Sequence, residues 1–387
     1  MSVPLWRCSA KPRTIRCEVA VVGGGITGVG AALALKRRGI EALLIERGEI
    51  ASGASGRNAG YLMRGAADNY VAATRDLGRA SARQLWKWTE DNLTMLRKEG
   101  IESLPTYRRV PSCLLAMDES ERAELHESAA LMREDGFALE WVESGRDAVW
   151  RSGAALGGLL NPDDAACNPC DLLKFLVSRL DHPPMTHTEV AHVELADDGV
   201  SLKTAEALIE AKRCLVCLNA YTSLLFPALS GLIQPKRGQI LAARTGSVVF
   251  DYSYYANHGY EYFRQATPEA VIIGGWRRRF AEVEVGFEER TTEEVQRGLE
   301  GFGERLLGAP LEVTARWSGT MGFTPDGLPL IGPIDAAGRA ASAGPLWVCG
   351  GYTGHGMSMA FKAAHEAVEA MLTGAAPPFP LSRFLNE

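Results

Sequence analysis

Gly23, Gly25 and Gly28 follow the apolar run at residues 17–22 and open a helical pattern at 26–38. Glu46 closes a second apolar run at 42–45, 18 residues after Gly28. Glycines at that spacing suit one chemistry, the holding of a pyrophosphate. Gly23 allows the tight turn, Gly25 lets backbone approach the phosphates, and Gly28 lets helix and strand pack closely. Ile26 and Thr27 stand at the helix N-terminus, where free N–H groups and a partial positive charge favour anions. Glu46, with Arg47 beside it, offers a carboxylate to ribose hydroxyls. A strand–turn–helix–strand unit ending in an acid predicts a dinucleotide site.

Two further glycine-rich segments carry polar side chains. Ser52, Ser55, Gly56, Arg57, Asn58, Ala59 and Gly60 form a loop directly after the Glu46 strand. Such a loop can run along a long cofactor, or be plain surface. Near the other end, Gly351, Tyr352, Thr353, Gly354, His355, Gly356 and Met357 precede a helical pattern at 358–372. A helix N-terminus there would stabilise negative charge on a reduced ring. His355 alone also reads as an ordinary loop histidine.

Candidates for the substrate side are dispersed. Tyr252, Tyr254, Tyr255, Tyr260, Tyr262 and Phe263 fall within twelve residues, with His258 among them. Their rings could cage an amine by cation–π contact or simply pack a sheet. Arg277, Arg278 and Arg279 follow Trp276 and would favour acidic substrates if they rim an entrance. Of the eight cysteines, Cys167/Cys170 and Cys214/Cys217 have the C-x-x-C spacing of a metal site. The second pair lies in a strand pattern, which turns residues three apart to opposite faces. Asn168 and Pro169 read as a helix cap and first turn. No metal is therefore expected.

The elements that must position these residues are strand, glycine turn and helix at both ends of the chain. Mixed strands and helices lie between: helices at 80–98, 118–135, 171–180 and 291–307, strands at 109–117, 189–195, 200–204, 207–209, 214–218, 238–244, 260–265 and 270–276. Residues 51–65 are expected to be loop. At 387 residues the chain suits two domains. It is 46% apolar and 23% charged, an ordinary globular balance. A net charge of −6 argues against a nucleic-acid partner. No apolar run is long enough to span a membrane, and no apolar stretch follows Arg7, Lys11, Arg13 and Arg16 as a secretory signal would require. The cytoplasm is the expected compartment.

Taken together, these segments resemble the D-amino-acid-oxidase-type FAD oxidoreductases, the family of glycine oxidase, sarcosine oxidases and gamma-glutamylputrescine oxidase. The shared pieces are VVGGGITGVGAALAL with Glu46, GASGRNAG, CLNAYTSLLFPAL with QPKRGQI, TPDGLPLIG and GGYTGHGM. The residues 54–58, Asn219-Ala220-Tyr221 and Pro4-Leu5-Trp6 bring it nearest the gamma-glutamylputrescine-oxidase-like branch.

The resemblance implies a mixed α/β fold. A discontinuous Rossmann-type FAD domain would take residues 1–80, 145–225 and 315–387. An antiparallel-sheet substrate domain would take 81–144 and 226–314. It implies FAD bound at the glycine motifs, the 52–60 loop, Asn219 and the 351–357 turn. It implies oxidation of the C–N bond of a small amine or amino acid by hydride transfer to flavin N5. The imine would then hydrolyse, with electrons passing to O2 or another acceptor. The alternatives are a 2-hydroxy-acid dehydrogenase serving a quinone or carrier, and a silent FAD-binding subunit. Gly319 stands where monomeric sarcosine oxidases carry the flavin-linking cysteine, so FAD should be non-covalent. Met321 and Ser358 stand where relatives carry an arginine and a lysine. Arg64 is then the expected carboxylate anchor, with His355, Tyr254 and His258 as further catalytic candidates.

Overall fold

The structure is a computed structural model that describes residues 13–384, so Pro4-Leu5-Trp6, Arg7 and Lys11 lie outside it. Two sheets organise the chain. The first has seven strands. Its central strands Leu346–Gly350, Ala207–Val216, Arg13–Val22 and Ala42–Ile45 run parallel, and Leu330–Pro333 is an antiparallel edge. Gly199–Lys203 and His192–Ala196 extend it as a meander beside Ala207–Val216. Val19–Val22 is entirely apolar because strands flanked on both faces are buried on both faces.

Helices Ile26–Arg37, Arg79–Lys98 and Gly356–Thr373 pack together on one face of this sheet. The Arg79–Lys98 helix is amphipathic, burying Leu85, Trp86, Trp88, Leu93 and Leu96. Ala31, Ala360, Ala363, Ala364 and Ala367 keep the helix contacts close. No helix among the described residues is long and apolar enough to cross a membrane.

The second sheet has eight strands, in the order Glu312–Phe323, Gln234–Arg244, Ala270–Gly275, Glu261–Thr267, Ser253–Ala256, Ser112–Leu115, Gly158–Asn161 and Glu140–Val142. Every pairing is antiparallel except that of Ser253–Ala256 with Ser112–Leu115. Helix Glu293–Leu307 covers one face and buries Val295, Leu299, Phe302 and Leu306 at helical spacing. Each such side chain contributes roughly 1.5–3 kcal/mol relative to exposure. The opposite face looks onto the cavity described below.

Most expected elements are present, and the differences have physical causes. The strands expected at 207–209 and 214–218 are one strand, Ala207–Val216. Its polar centre, Glu210 to Arg213, looked like a break but lies where the sheet meets solvent, with Glu210 paired to Arg16 at 2.8 Å. Strand Glu312–Phe323 was not expected, because its first half is largely exposed and polar. Helix Tyr70–Leu77 is a further element beyond the expected ones. The 51–65 loop contains a one-turn helix, Ala54–Arg57, and a short strand, Tyr61–Leu62. Gly158–Asn161 and all of Glu312–Phe323 pair in the eight-stranded sheet, although the expected boundaries put Gly158–Asn161 and most of Glu312–Phe323 with the nucleotide segments.

Candidate active site

A cavity of about 820 Å³ runs between the two sheets. That is in the upper part of the roughly 300–1,000 Å³ range of small-molecule sites. One end is built by the first strand, its glycine turn and the Ile26–Arg37 helix. Gly23 has φ +116°, and a Cβ on Gly28 would lie 1.8 Å from the Gly23 carbonyl oxygen. Only glycine fits at 28, and the helix N-terminus is thereby drawn against the turn. Ser55 Oγ accepts from the Ile26 N–H at 2.9 Å, so the 52–60 loop is docked on this helix start. The Glu46 carboxylate accepts from the N–H groups of Gly24 and Gly48 at 2.6 and 2.7 Å. Two backbone bonds fix it while leaving lone pairs for hydroxyls. Arg47 lies 4.5 Å over the Tyr221 ring.

The middle is built by the loop and the second glycine turn. Arg57 donates to Ser318 O, pairs with Glu289 at 2.8 Å, and its own carbonyl accepts from Trp317 Nε1. Asn219, itself at φ +49°, accepts from the Gly351 N–H at 2.9 Å. Asn219 thus shapes the turn that leads into helix Gly356–Thr373, whose N-cap is His355. Burial lowers the His355 pKa, opposed by its contact with Thr353 O and by Asp68, so the ring is biased toward the neutral form.

The far wall comes from the eight-stranded sheet and from the short strand Tyr61–Leu62, which pairs separately with Ala165–Ala166. Tyr61, Tyr255 and Tyr262 form an aromatic box, with centroid separations of 5.0 to 6.2 Å, and His355 lies 6.2 Å from Tyr255. Burial raises the pKa of all three phenols, which therefore stay as neutral hydroxyls. Met63, Asp68, Arg277, Met321 and Phe323 complete this end.

Most expected cofactor residues line the cavity: Gly23, Gly25, Ile26, Thr27, Glu46, Arg47, Ser52, Ser55, Arg57, Asn58, Ala59, Asn219 and 352–357. Gly28, Gly56, Gly60 and Gly351 do not. Each lies so close to neighbouring atoms, Gly23 O, Ala51 O, Cys167 O and Thr324 Cγ2 respectively, that a Cβ would collide within 2.4 Å. They shape the backbone behind the cavity. Of the catalytic candidates, His355 and His258 line it, His258 also lying 3.6 Å from Glu124.

Arg64 and Tyr254 are corrected. Arg64 is 6% exposed and turns away from the cavity. Its guanidinium binds Glu90 at 2.9 Å, the Ala138 carbonyl and Asn161. Tyr254 is fully buried on the other face of its strand, packed on Phe250 and Phe263 with its hydroxyl on Asp147. Strand alternation sends Tyr255, not Tyr254, to the cavity. Tyr61, Met63, Asp68 and Phe323 were not anticipated. The alternation of Tyr61 and Met63 after the loop is a sequence signal for those two alone; Asp68 and Phe323 carry none. Cys214 and Cys217 pack in different cores on opposite sheet faces. The seven described cysteines are free, and no metal-competent cluster occurs among the described residues.

The donor set fits FAD. A helix N-terminus and an acid serve the adenosine half, a polar loop the middle, and a second helix N-terminus the ring. Known proteins agree with this fit. The chain is 25% identical to gamma-glutamylputrescine oxidoreductase of Escherichia coli over 396 residues, covering 95% of this chain and 86% of that one. Its fold matches glycine oxidase from Geobacillus kaustophilus with a TM-score of 0.74 at 21% identity, covering 96% and 98% of the two chains. It matches L-proline dehydrogenase from P. horikoshii with a TM-score of 0.72 at 18% identity, covering 96% of each. The family described as DAO, FAD dependent oxidoreductase, matches residues 18–370. The chain therefore belongs to the DAO family of FAD-dependent oxidoreductases.

Proposed function

We propose that the protein oxidises the C–N bond of an amine or amino acid, releases an imine to hydrolysis, and delivers the electrons to O2. The observation that carries this reading is the aromatic box of Tyr61, Tyr255 and Tyr262, which opens onto the His355 turn within the cofactor cavity. The relatives named gamma-glutamylputrescine oxidoreductase and glycine oxidase support it. In this reading the seven-stranded sheet and its helices carry FAD, and the eight-stranded sheet carries the substrate wall.

The flavin, when bound, supplies the acceptor for the hydride on the carbon next to nitrogen. The chain supplies the rest. Ile26, Ser55 and Glu46 hold the nucleotide half, and the turn at 352–357 presents its helix N-terminus to the ring. Gly319 offers no thiol to the ring, and Cys217, the cysteine in the lining, is buried and held protonated, so the cofactor is held non-covalently. The three tyrosine rings exclude water and offer π faces to the amine. His355 Nδ1 lies 3.4 Å from the Thr353 carbonyl, which can only accept, so the neutral ring keeps its proton there. Its Nε2 lone pair is then available to take the proton of a substrate ammonium, giving the neutral amine that hydride loss requires. Arg277, which lines the cavity, supplies positive charge for oxygen reduction.

The test is a peroxide assay in air across amines, amino acids and 2-hydroxy acids. Peroxide with an amine or amino acid supports the reading. Peroxide only with 2-hydroxy acids, or turnover only with a quinone, replaces it.

A further inference from the structure

Residues 281–292 join the turn at Arg277–Phe280 to helix Glu293–Leu307 and contain no helix or named strand of their own. A connection of this length without regular structure is uncommon in a compact fold. Its two ends are held very differently. At the first, the Arg237 guanidinium donates to the Glu284 carboxylate at 2.9 and 3.0 Å, and the Arg237 N–H donates to the Glu284 carbonyl at 2.8 Å. The two side chains are 2% and 1% exposed. Val285 forms a single bridge with Lys236, and the Gly286 N–H donates to the Pro235 carbonyl at 3.1 Å. This end is thereby fixed to strand Gln234–Arg244.

The second end hangs on Glu289. Its carboxylate pairs with Arg57 at 2.8 Å and accepts from the Tyr221 hydroxyl at 2.9 Å. Phe287 leans on the Tyr221 ring with centroids 5.7 Å apart, and Arg47 covers the same ring. Arg47, Arg57, Tyr221 and Glu289 all line the cofactor cavity. Arg57 belongs to the loop after the Glu46 strand and Tyr221 to the turn after strand Ala207–Val216, so one carboxylate joins two walls of the cavity. The side chains of Arg57 and Glu289 are 33% and 30% exposed, and an ion pair so open to water is weak and screened by salt. Val283 and Val285 stay exposed, so apolar burial adds little to hold the segment down. Arg57 has anchors of its own, the Ser52 and Ser318 carbonyls at 2.8 and 3.1 Å, and keeps its place without Glu289.

We infer that residues 287–292 form a strap across the cofactor cavity, latched by Glu289 onto Arg57 and Tyr221, and that unlatching is the step through which FAD enters and leaves. A buried anchor and a solvated latch are the two parts such a device needs. Arg237 and Glu284 keep the segment attached to its sheet while the Glu289 contacts break and re-form. The strap rests on the FAD site alone and holds whichever substrate is oxidised. It has a kinetic signature that an ordinary cofactor contact lacks. Loss of a contact speeds release only, whereas loss of a latch speeds entry and release together.

Exchange of bound FAD for an excess of isotope-labelled FAD reads the latch on the loaded protein, and equilibrium dialysis of FAD gives the dissociation constant. Glu289→Gln keeps the shape of the side chain and removes its charge. It should speed exchange by about tenfold, the scale of one charged hydrogen bond, and change the dissociation constant by less than about threefold. Tyr221→Phe removes one of the two latch partners and should speed exchange by a smaller factor. Amide hydrogen exchange at residues 287–291 should quicken in both variants, while the amide of Arg237 stays protected. An exchange rate that does not rise in Glu289→Gln, or amides at 287–291 as protected as in the wild type, would overturn the strap. A dissociation constant that rises as much as the exchange rate would make Glu289 a simple cofactor contact and overturn it equally.

Discussion

Arg64 shows how proximity in sequence misleads at the scale of a residue. It follows the flavin loop by four positions, yet Tyr61 and Met63 face the cavity and Arg64 turns away from it. Truncation should therefore act on stability. Arg64→Ala removes the donor from Asn161 Oδ1 and the Ala138 carbonyl and one cation from Glu90, and should cost about 2–4 kcal/mol in denaturant unfolding. FAD content of the folded fraction should stay at the wild-type level. A raised KM with unchanged stability would return Arg64 to the substrate. Asp164, behind the same segment, is a second internal group. Burial raises its carboxyl to about 7, against the Ser112 hydrogen bond and the charges of Arg64 and Arg97. The folded value exceeds the unfolded one, so the folded chain holds a proton that the unfolded chain has lost. That stabilisation is complete below the ordinary carboxylate value and disappears as pH rises through about 7. Asp164→Asn should flatten the decline in melting temperature between about pH 4 and about pH 7. An unchanged slope would show that the carboxyl is ionised throughout.

At the scale of elements, what could be read was what has a local cause. The turn at Gly23–Gly28, the helix expected at 118–135, which Asp118 caps rather than Ser120, and Asn168-Pro169 opening helix Pro169–Val177 all stand where their residues direct. Asp118 Oδ1 accepts from the Glu121 N–H at 2.8 Å, a capping bond written in four residues. Strand Glu312–Phe323 was not legible because its outer half is polar and only its pairing with Gln234–Arg244 makes it a strand. The tyrosine wall was half legible. The cluster was visible, but which rings face the cavity depends on register, and a one-residue choice exchanges Tyr254 for Tyr255. The glycine turn gives the sharpest test of an element. Gly28→Ala places a Cβ against the Gly23 carbonyl and forces helix Ile26–Arg37 off its strand. The purified variant should carry less than about a tenth of the wild-type FAD per chain, consistent with the loss of a few kcal/mol by overpacking. Full flavin content, by the ratio of visible to ultraviolet absorbance, would show that the turn is not the phosphate site.

At the scale of the molecule, the cavity exists because the two sheets are stitched across it. Arg264, buried in the eight-stranded sheet, donates to the carbonyls of Ala59 and Cys167 and so holds the far end of the 52–60 loop. Arg57 and Trp317 tie the near end to strand Glu312–Phe323. No single segment predicts these contacts, since residues 59, 167 and 264 meet only when both sheets have formed. Arg264→Met removes the far tie and leaves two carbonyls without a donor. It should weaken FAD binding by about tenfold or more, the scale of one or two buried hydrogen bonds, measured by flavin fluorescence on dilution. An unchanged dissociation constant would show that the loop is held without it. The central claim, that this assembly removes hydride from a carbon bonded to nitrogen, is tested most directly by a single anaerobic turnover. FAD-loaded protein is mixed separately with amines, amino acids and 2-hydroxy acids, the visible flavin absorbance is followed, and the products are analysed. The account predicts that each flavin bleached releases one carbonyl compound together with the freed amine or ammonia. Flavin that stays oxidised with every amine and amino acid, or that bleaches only with 2-hydroxy acids, would contradict it.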